Sequence, residues 1–299
     1  MTDTANFDQM LAKIETGAGF IAALDQSGGS TPKALKGYGI DDGAWGSDEE
    51  MFALIHGMRS RIVTSPCFNG ERVIGAILFE RTMDGEAGGK SVPALLWERG
   101  VVPFLKVDKG LEDEADGVQM MKPIGGLGEL LDRAKAKGVF GTKMRSVINS
   151  ASETGIAAIV KQQFEVAGEI LDHGLIPIIE PEVNIKSETR GQCDEILLAE
   201  TKKALDALPE GRRVMLKLSL PAKAGLFADL VSHPAVIRVV ALSGGFSRTE
   251  ACTELAKNNG IIASFSRALL NDLKHQMSDD EFDASLGGAI DEIHQASIA

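Results

Sequence analysis

The 299-residue sequence predicts an α/β fold, a TIM (β/α)8 barrel. Three observations predict it. The chain repeats a unit of apolar or β-branched run, polar loop and amphipathic helix, the pattern of a parallel sheet flanked by helices. Eight such runs are present, the number a closed barrel needs. Charged residues gather at the C-terminal ends of the runs, where a parallel barrel builds its site.

The runs in order are GFIAAL ending at Leu24, RVIGAILF at 72–79, VVPFLKV at 101–107, VFGTKM at 139–144, LIPIIE at 175–180, RRVMLKL at 212–218, VIRVVAL at 236–242 and IIASF at 261–265. The clearest intervening helix carries Ile156, Ile159, Val160, Phe164, Ala167, Ile170 and Leu171 at helical period, opened by Ser152 and stopped at Gly174. A second, GLGELLDRAKAK, is stopped by Gly138. Residues 37–50 are rich in Gly and Asp and read as a loop. No repeat or linker divides the chain, and a 44% hydrophobic content suffices for one core, so residues 1–299 are expected to form a single barrel domain. A doubly wound open sheet is the structural rival. It would place a GxGxxG fingerprint after its first strand, where this chain has ALDQSGGS.

With 31 basic and 43 acidic residues the net charge is -12, which disfavours nucleic acid and anionic membrane surfaces as partners. An anionic ligand would need a local basic pocket. The opening segment MTDTANFDQMLAKIETGAGF lacks a signal-peptide core, and no stretch approaches the roughly 18 apolar residues of a membrane span, so a soluble, cytoplasmic protein is expected. Cys67, Cys193 and Cys252 are odd in number and widely spaced, which predicts reduced, structural thiols.

The strand-end charges come in pairs. Lys106 with Asp108, Lys143 with Arg145, and Glu180 with Glu182 are each two residues apart, which puts both members on one strand face. Lys217 ends the sixth run and Asp25 the first. Any one of these read alone is an ordinary solvent-facing charge. Converging on one barrel mouth, they would shift one another's pKa values and make an anion-handling acid/base site. Two glycine-bearing loops add candidate oxyanion sites. LSGGFS, containing Ser243, Gly244 and Gly245, follows the seventh run, and Arg267 follows the eighth at a helix start. SGGS at 27–30 follows the first run, with Pro32 suited to a first helical turn. An SGG alone is more often a tight turn; two separated sites together suit a ligand phosphorylated at both ends.

From about Gly19 to His275 the sequence resembles class I fructose-bisphosphate aldolase in its shorter bacterial form, through ALDQSGGS, GAILFERTMD, FLKVDKG, FGTKMRSV, PIIEPEV, MLKLSL, ALSGGFS and ASFSRAL. The resemblance implies that Lys217 forms the Schiff base, that Glu180 is the principal acid/base with Glu182 beside it, that Asp25 and Lys143 complete the catalytic group, and that Arg145 belongs to the substrate-binding residues. It further implies that Ser243, Gly244, Gly245 and Arg267 bind one phosphate, with Ser27, Ser30 and Lys106 near the other. The ligand would be a sugar bisphosphate, with no metal or organic cofactor. A lysine nucleophile must be unprotonated, and Lys143 is the candidate cationic neighbour that would favour this. Either Glu180 or Asp25 would serve as base for the C4 hydroxyl. The chain departs from vertebrate members at Gln26, where they carry glutamate, at Met144, where they carry tryptophan, and in ending QASIA rather than in tyrosine.

Three rivals stand beside this reading. A metal-dependent aldolase would need clustered ligands, whereas His56, His173, His233, His275 and His294 show no HxH or HxxxH spacing. Another lysine-dependent barrel lyase would share the fold and the lysine. A noncatalytic binding barrel would leave the charged constellation without a role. The surface helices permit a homo-oligomer without specifying one.

Overall fold

The computed structural model describes residues 2–299. Its eight principal strands are β1 (Phe20–Leu24), β2 (Val73–Leu78), β3 (Val102–Lys106), β4 (Gly141–Ile148), β5 (Ile176–Val183), β6 (Val214–Ser219), β7 (Val236–Leu242) and β8 (Ile261–Ala263). All eight runs read from the sequence are present, and neighbours pair in parallel in chain order from β1 to β8.

The ring is nearly closed. No β1–β8 ladder forms among the described residues, but the Ala23 N–H donates to the Phe265 carbonyl at 3.1 Å. The neighbouring Ala263 N–H is taken by Ser297 Oγ at 3.0 Å, from the helix Asp279–Ser297 that packs over this seam.

Boundaries differ from expectation where pairing partners extend the strands. β4 starts at Gly141 and continues to Ile148, because Met144 to Ile148 pair with Ile179 to Val183 of β5 and the segment Val118–Gln119 adds antiparallel to its end. β5 accordingly runs on through Pro181, and β8 is shorter than expected, stopping at Ala263. Within residues 37–50, a 3-10 turn at Asp42–Ala44 and a helix from Asp48 interrupt the expected loop. That helix starts because Ser47 Oγ accepts from the Glu50 N–H, satisfying an otherwise orphaned amide.

The helix opened by Ser152 spans Glu153–Asp172, and Gly174, at φ +78°, takes the left-handed conformation that stops it. The GLGELLDRAKAK segment is helical over Leu127–Ala136. Outward strand residues, including Ala22, Leu78, Leu105, Ile179, Leu216 and Val239, pack against the helices in the outer core. The barrel interior is a separate cluster containing Ile21, Ile77, Val102, Phe104, Ile178, Met215 and Val240. The helix Thr2–Thr16 plugs its N-terminal end with Met10 and Ile14, and the Phe7 ring lies 4.9 Å from Phe140. Among the described residues no helix is long and apolar enough to cross a membrane.

Candidate active site

The inward face of several strands changes character along its length. It reads Ile21, Ala23, Asp25 from β1; Val102, Phe104, Lys106 on β3; Gly141, Lys143, Arg145 on β4; Ile176, Ile178, Glu180, Glu182 on β5; and Met215, Lys217 on β6. A period of two keeps each series on one side of the sheet. The early members fill the interior, and the late members converge at the C-terminal mouth around a cavity of about 640 Å3.

At the centre are four ionisable side chains, with Lys143, Glu180 and Lys217 each 3% exposed and Asp25 8% exposed. Lys143 Nζ lies 2.7 Å from Asp25 Oδ2 and 2.8 Å from Glu180 Oε2. Lys217 Nζ lies 3.1 Å from Glu180 Oε1. Glu180 therefore bridges the two lysines. Nearer the rim, Lys106 Nζ pairs with Asp108 Oδ1 at 2.6 Å, and Arg145 pairs with Glu182.

Burial alone would raise the Asp25 carboxyl, but Lys143 and Lys217 outweigh it and hold the group well below the usual carboxylate range. Glu180 follows the same balance of burial against Lys143 and Lys217, and is also lowered. Burial pulls Lys143 down, yet Asp25 and Glu180 together drive it well above an ordinary lysine. Lys143 is thus a fixed cation whose charge is answered by two carboxylates. Burying four ionisable groups in place of apolar ones is a poor route to stability, whereas a site for proton transfer requires such groups.

The surroundings position these groups. The Glu180 N–H donates to Gln163 Oε1 at 2.9 Å, and Gln163 Nε2 donates to Ser146 Oγ at 3.0 Å, which ties β5 and β4 to the helix behind them. In the loop after β1, the Ser27 N–H donates to Ser30 Oγ at 2.8 Å and Ser30 Oγ donates back to the Ser27 carbonyl at 2.7 Å, with Gly28 at φ +51°. After β7, Gly244 and Gly245 have φ of +58° and +118°, values open to glycine. A Cβ on Gly245 would lie 3.6 Å from Arg267 Nη2, so the Ser243–Gly245 turn and Arg267 adjoin although they come from different loops.

Of the residues predicted from sequence, the cavity brings together Asp25, Ser27, Ser30, Lys106, Lys143, Arg145, Glu180, Lys217 and Arg267. Glu182 and Ser243 to Gly245 are not among its walls; they reach it through Arg145 and Arg267. Sequence reasoning missed Lys33, Ser266 and Asn271 on the wall, and Arg59 behind it. Arg59 had a legible signal, because it lies on the buried stripe Met51, Ile55, Met58, Ile62 of its helix, where a cation needs a reason to be.

A parallel α/β barrel with a buried lysine–carboxylate cluster at its C-terminal mouth, flanked by two glycine-containing loops, defines a barrel enzyme of the acid/base class. The family model described as fructose-bisphosphate aldolase class-I matches residues 8–216, more than two thirds of the chain. The chain belongs to the class I fructose-bisphosphate aldolase family, whose members are aldehyde-lyases acting on a sugar bisphosphate. The match ends one residue before Lys217, and Arg267 also lies outside it. Among solved structures, the fold is similar to fructose-bisphosphate aldolase from Plasmodium falciparum, crystallised with TRAP and a small-molecule inhibitor, at TM-score 0.80 and 21% identity over 99% of this chain and 95% of that one. It is also similar to a protein of Corynebacterium glutamicum at TM-score 0.57 and 13% identity over 97% and 92% of the two chains. These likenesses concern the fold.

Proposed function

We propose that the chain, as a single barrel domain in the cytoplasm, cleaves fructose 1,6-bisphosphate reversibly to dihydroxyacetone phosphate and glyceraldehyde 3-phosphate, in glycolysis or gluconeogenesis, through a Schiff base on Lys217. One observation carries the choice of lysine. Lys143 is clasped by two carboxylates and held as a cation, whereas Lys217 touches the same Glu180 through a single contact of 3.1 Å.

Lys217 Nζ attacks the C2 ketone, and Glu180, beside that nitrogen, carries the protons that convert the carbinolamine to an iminium with loss of water. Asp25, a buried carboxylate on the facing strand, takes the C4 hydroxyl proton. The C3–C4 electron pair then flows to the iminium nitrogen as the aldehyde phosphate leaves. Protonation of the enamine at C3 and hydrolysis release the ketone phosphate and free Lys217. The loop of Ser27 and Ser30 with Lys106, and Arg267 with Ser243 to Gly245, hold the two phosphates so that C2 stays in register with Nζ. Borohydride reduction in the presence of substrate, followed by peptide mass spectrometry, is expected to trap a substrate-derived mass on Lys217. Activity without such an adduct rejects the mechanism.

A further inference from the structure

The seam between β1 and β8 is joined by a side chain as well as by backbone. Gln26 Nε2 donates to the Ala23 carbonyl at 3.0 Å and to Ser266 Oγ at 2.6 Å, across 240 residues of sequence. Its Oε1 accepts from Arg59 Nη2 at 3.2 Å, and the same Nη2 donates to the Gln26 carbonyl at 2.5 Å. Arg59 Nη1 donates to Thr82 Oγ1 at 2.8 Å.

Arg59 is 1% exposed, and its hydrogen-bond partners among the described residues are neutral oxygens. A guanidinium has no acceptor, so it dictates which end of the amide faces it. With Oε1 turned to Arg59, Nε2 must turn to Ala23 and Ser266. A glutamine meets this set with one acceptor and two donors; a carboxylate would present a lone pair to the Ala23 carbonyl and lose that bond.

Ser266 directly precedes Arg267, and Gln26 directly precedes Ser27. The Gln26–Ser266 bond therefore links the two loops assigned above to the two phosphates, at the place where the sheet itself provides no ladder. Resting on that assignment, we propose that Gln26, oriented by Arg59, is a positioning residue that fixes the separation of the two anion sites and so selects substrates phosphorylated at both ends. A singly phosphorylated ketose engages one loop and is indifferent to their spacing; a bisphosphate must fit both.

The test compares fructose 1,6-bisphosphate with fructose 1-phosphate in the wild type, Gln26→Ala, Ser266→Ala and the double variant. The KM for the bisphosphate is expected to rise by up to about tenfold, the scale of one hydrogen bond, with kcat and the monophosphate KM within about twofold. Because both substitutions delete the same bond, the double variant should be no worse than the more impaired single one. Ser266→Ala leaves the Arg59 contacts intact and serves if Gln26→Ala does not fold, and Ser266→Thr should restore the wild-type KM ratio. An unchanged ratio in a folded variant, or additive effects in the double variant, overturns the proposal. Borohydride trapping on Lys217 in the same proteins reports the Schiff base separately, so failure of that mechanism is distinguishable from failure of the latch.

Discussion

The floor and the mouth of the barrel interior are built by the same strands, two residues apart. On β3 the step is from Phe104 to Lys106, on β5 from Ile178 to Glu180, and on β6 from Met215 to Lys217. Below the step, packing is close. Phe104 faces Phe140 edge-on at 5.5 Å, and it fits because glycine occupies positions 75 and 141, where added Cβ atoms would come within 3.2 Å and 3.0 Å of its ring. Above the step, pairing of charges replaces packing. Stability and chemistry are thus assigned to different depths of one set of strands, and substitutions at the two depths should fail in different ways.

The sharpest break is at Lys217. Lys217→Met is expected to lower kcat by on the order of 10^4-fold or more, as loss of the proposed covalent nucleophile would. Its thermal midpoint should hold, because Glu180 keeps Lys143 as a partner. Steady-state kinetics and a melt of the same sample check both. Lys143→Met should damage both properties, since removing one partner of a buried ion pair costs roughly 3–5 kcal/mol, measured by urea unfolding. It should also move the acid limb of the pH–stability curve upward. Asp25 and Glu180 are lowered in the fold, so their stabilisation is present above the usual carboxylate range and is lost as pH falls through their lowered values. Without the Lys143 cation, burial dominates and that loss begins at higher pH. Lys143 itself, raised in the fold, contributes stability below the ordinary lysine range and loses it only as pH rises through its raised value.

In the floor the balance reverses. Phe104→Ala should cost about 3–5 kcal/mol of stability while changing kcat far less than either lysine substitution, by the same two measurements. The smallest effect belongs to the surface, where Lys90 and Glu98 pair at 2.5 Å with both side chains about half exposed. Lys90→Ala should shift unfolding by less than about 1 kcal/mol, which separates burial from distance as the source of the Lys143 effect.

Much of this division was legible in the sequence because it is local. Apolar and β-branched runs located all eight strands, and a period of two placed Lys106 with Asp108, Lys143 with Arg145, and Glu180 with Glu182 on common faces. The choice of ion-pair partners was less accessible. Lys106 does pair with Asp108, two residues further along its own chain segment, but Lys143 reaches Asp25 and Glu180, and Arg145 reaches Glu182, across strands. Cross-strand choice depends on register, in which Arg145 stands opposite Glu180, and register is not written in any one segment. The plug helix was not read from the sequence, although Phe7, Met10, Leu11 and Ile14 carry helical spacing; its role required knowing which end of the barrel lay open. The prolines of β5 argue against a central strand by rule; among its amides, that of Glu180 is satisfied by a helix side chain instead.

The seam also bears on the order in which the chain folds. Pairs such as β4 with β5 join segments close in sequence and pay little loop entropy, whereas closing the ring brings Ala23 to Phe265 across nearly the whole chain. By the logic of contact order that closure comes late. Until it does, β1 and β8 are both bare edges open to pairing with another chain. The helix Asp279–Ser297, which caps Ala263 and packs against both strands, covers those edges in the finished barrel.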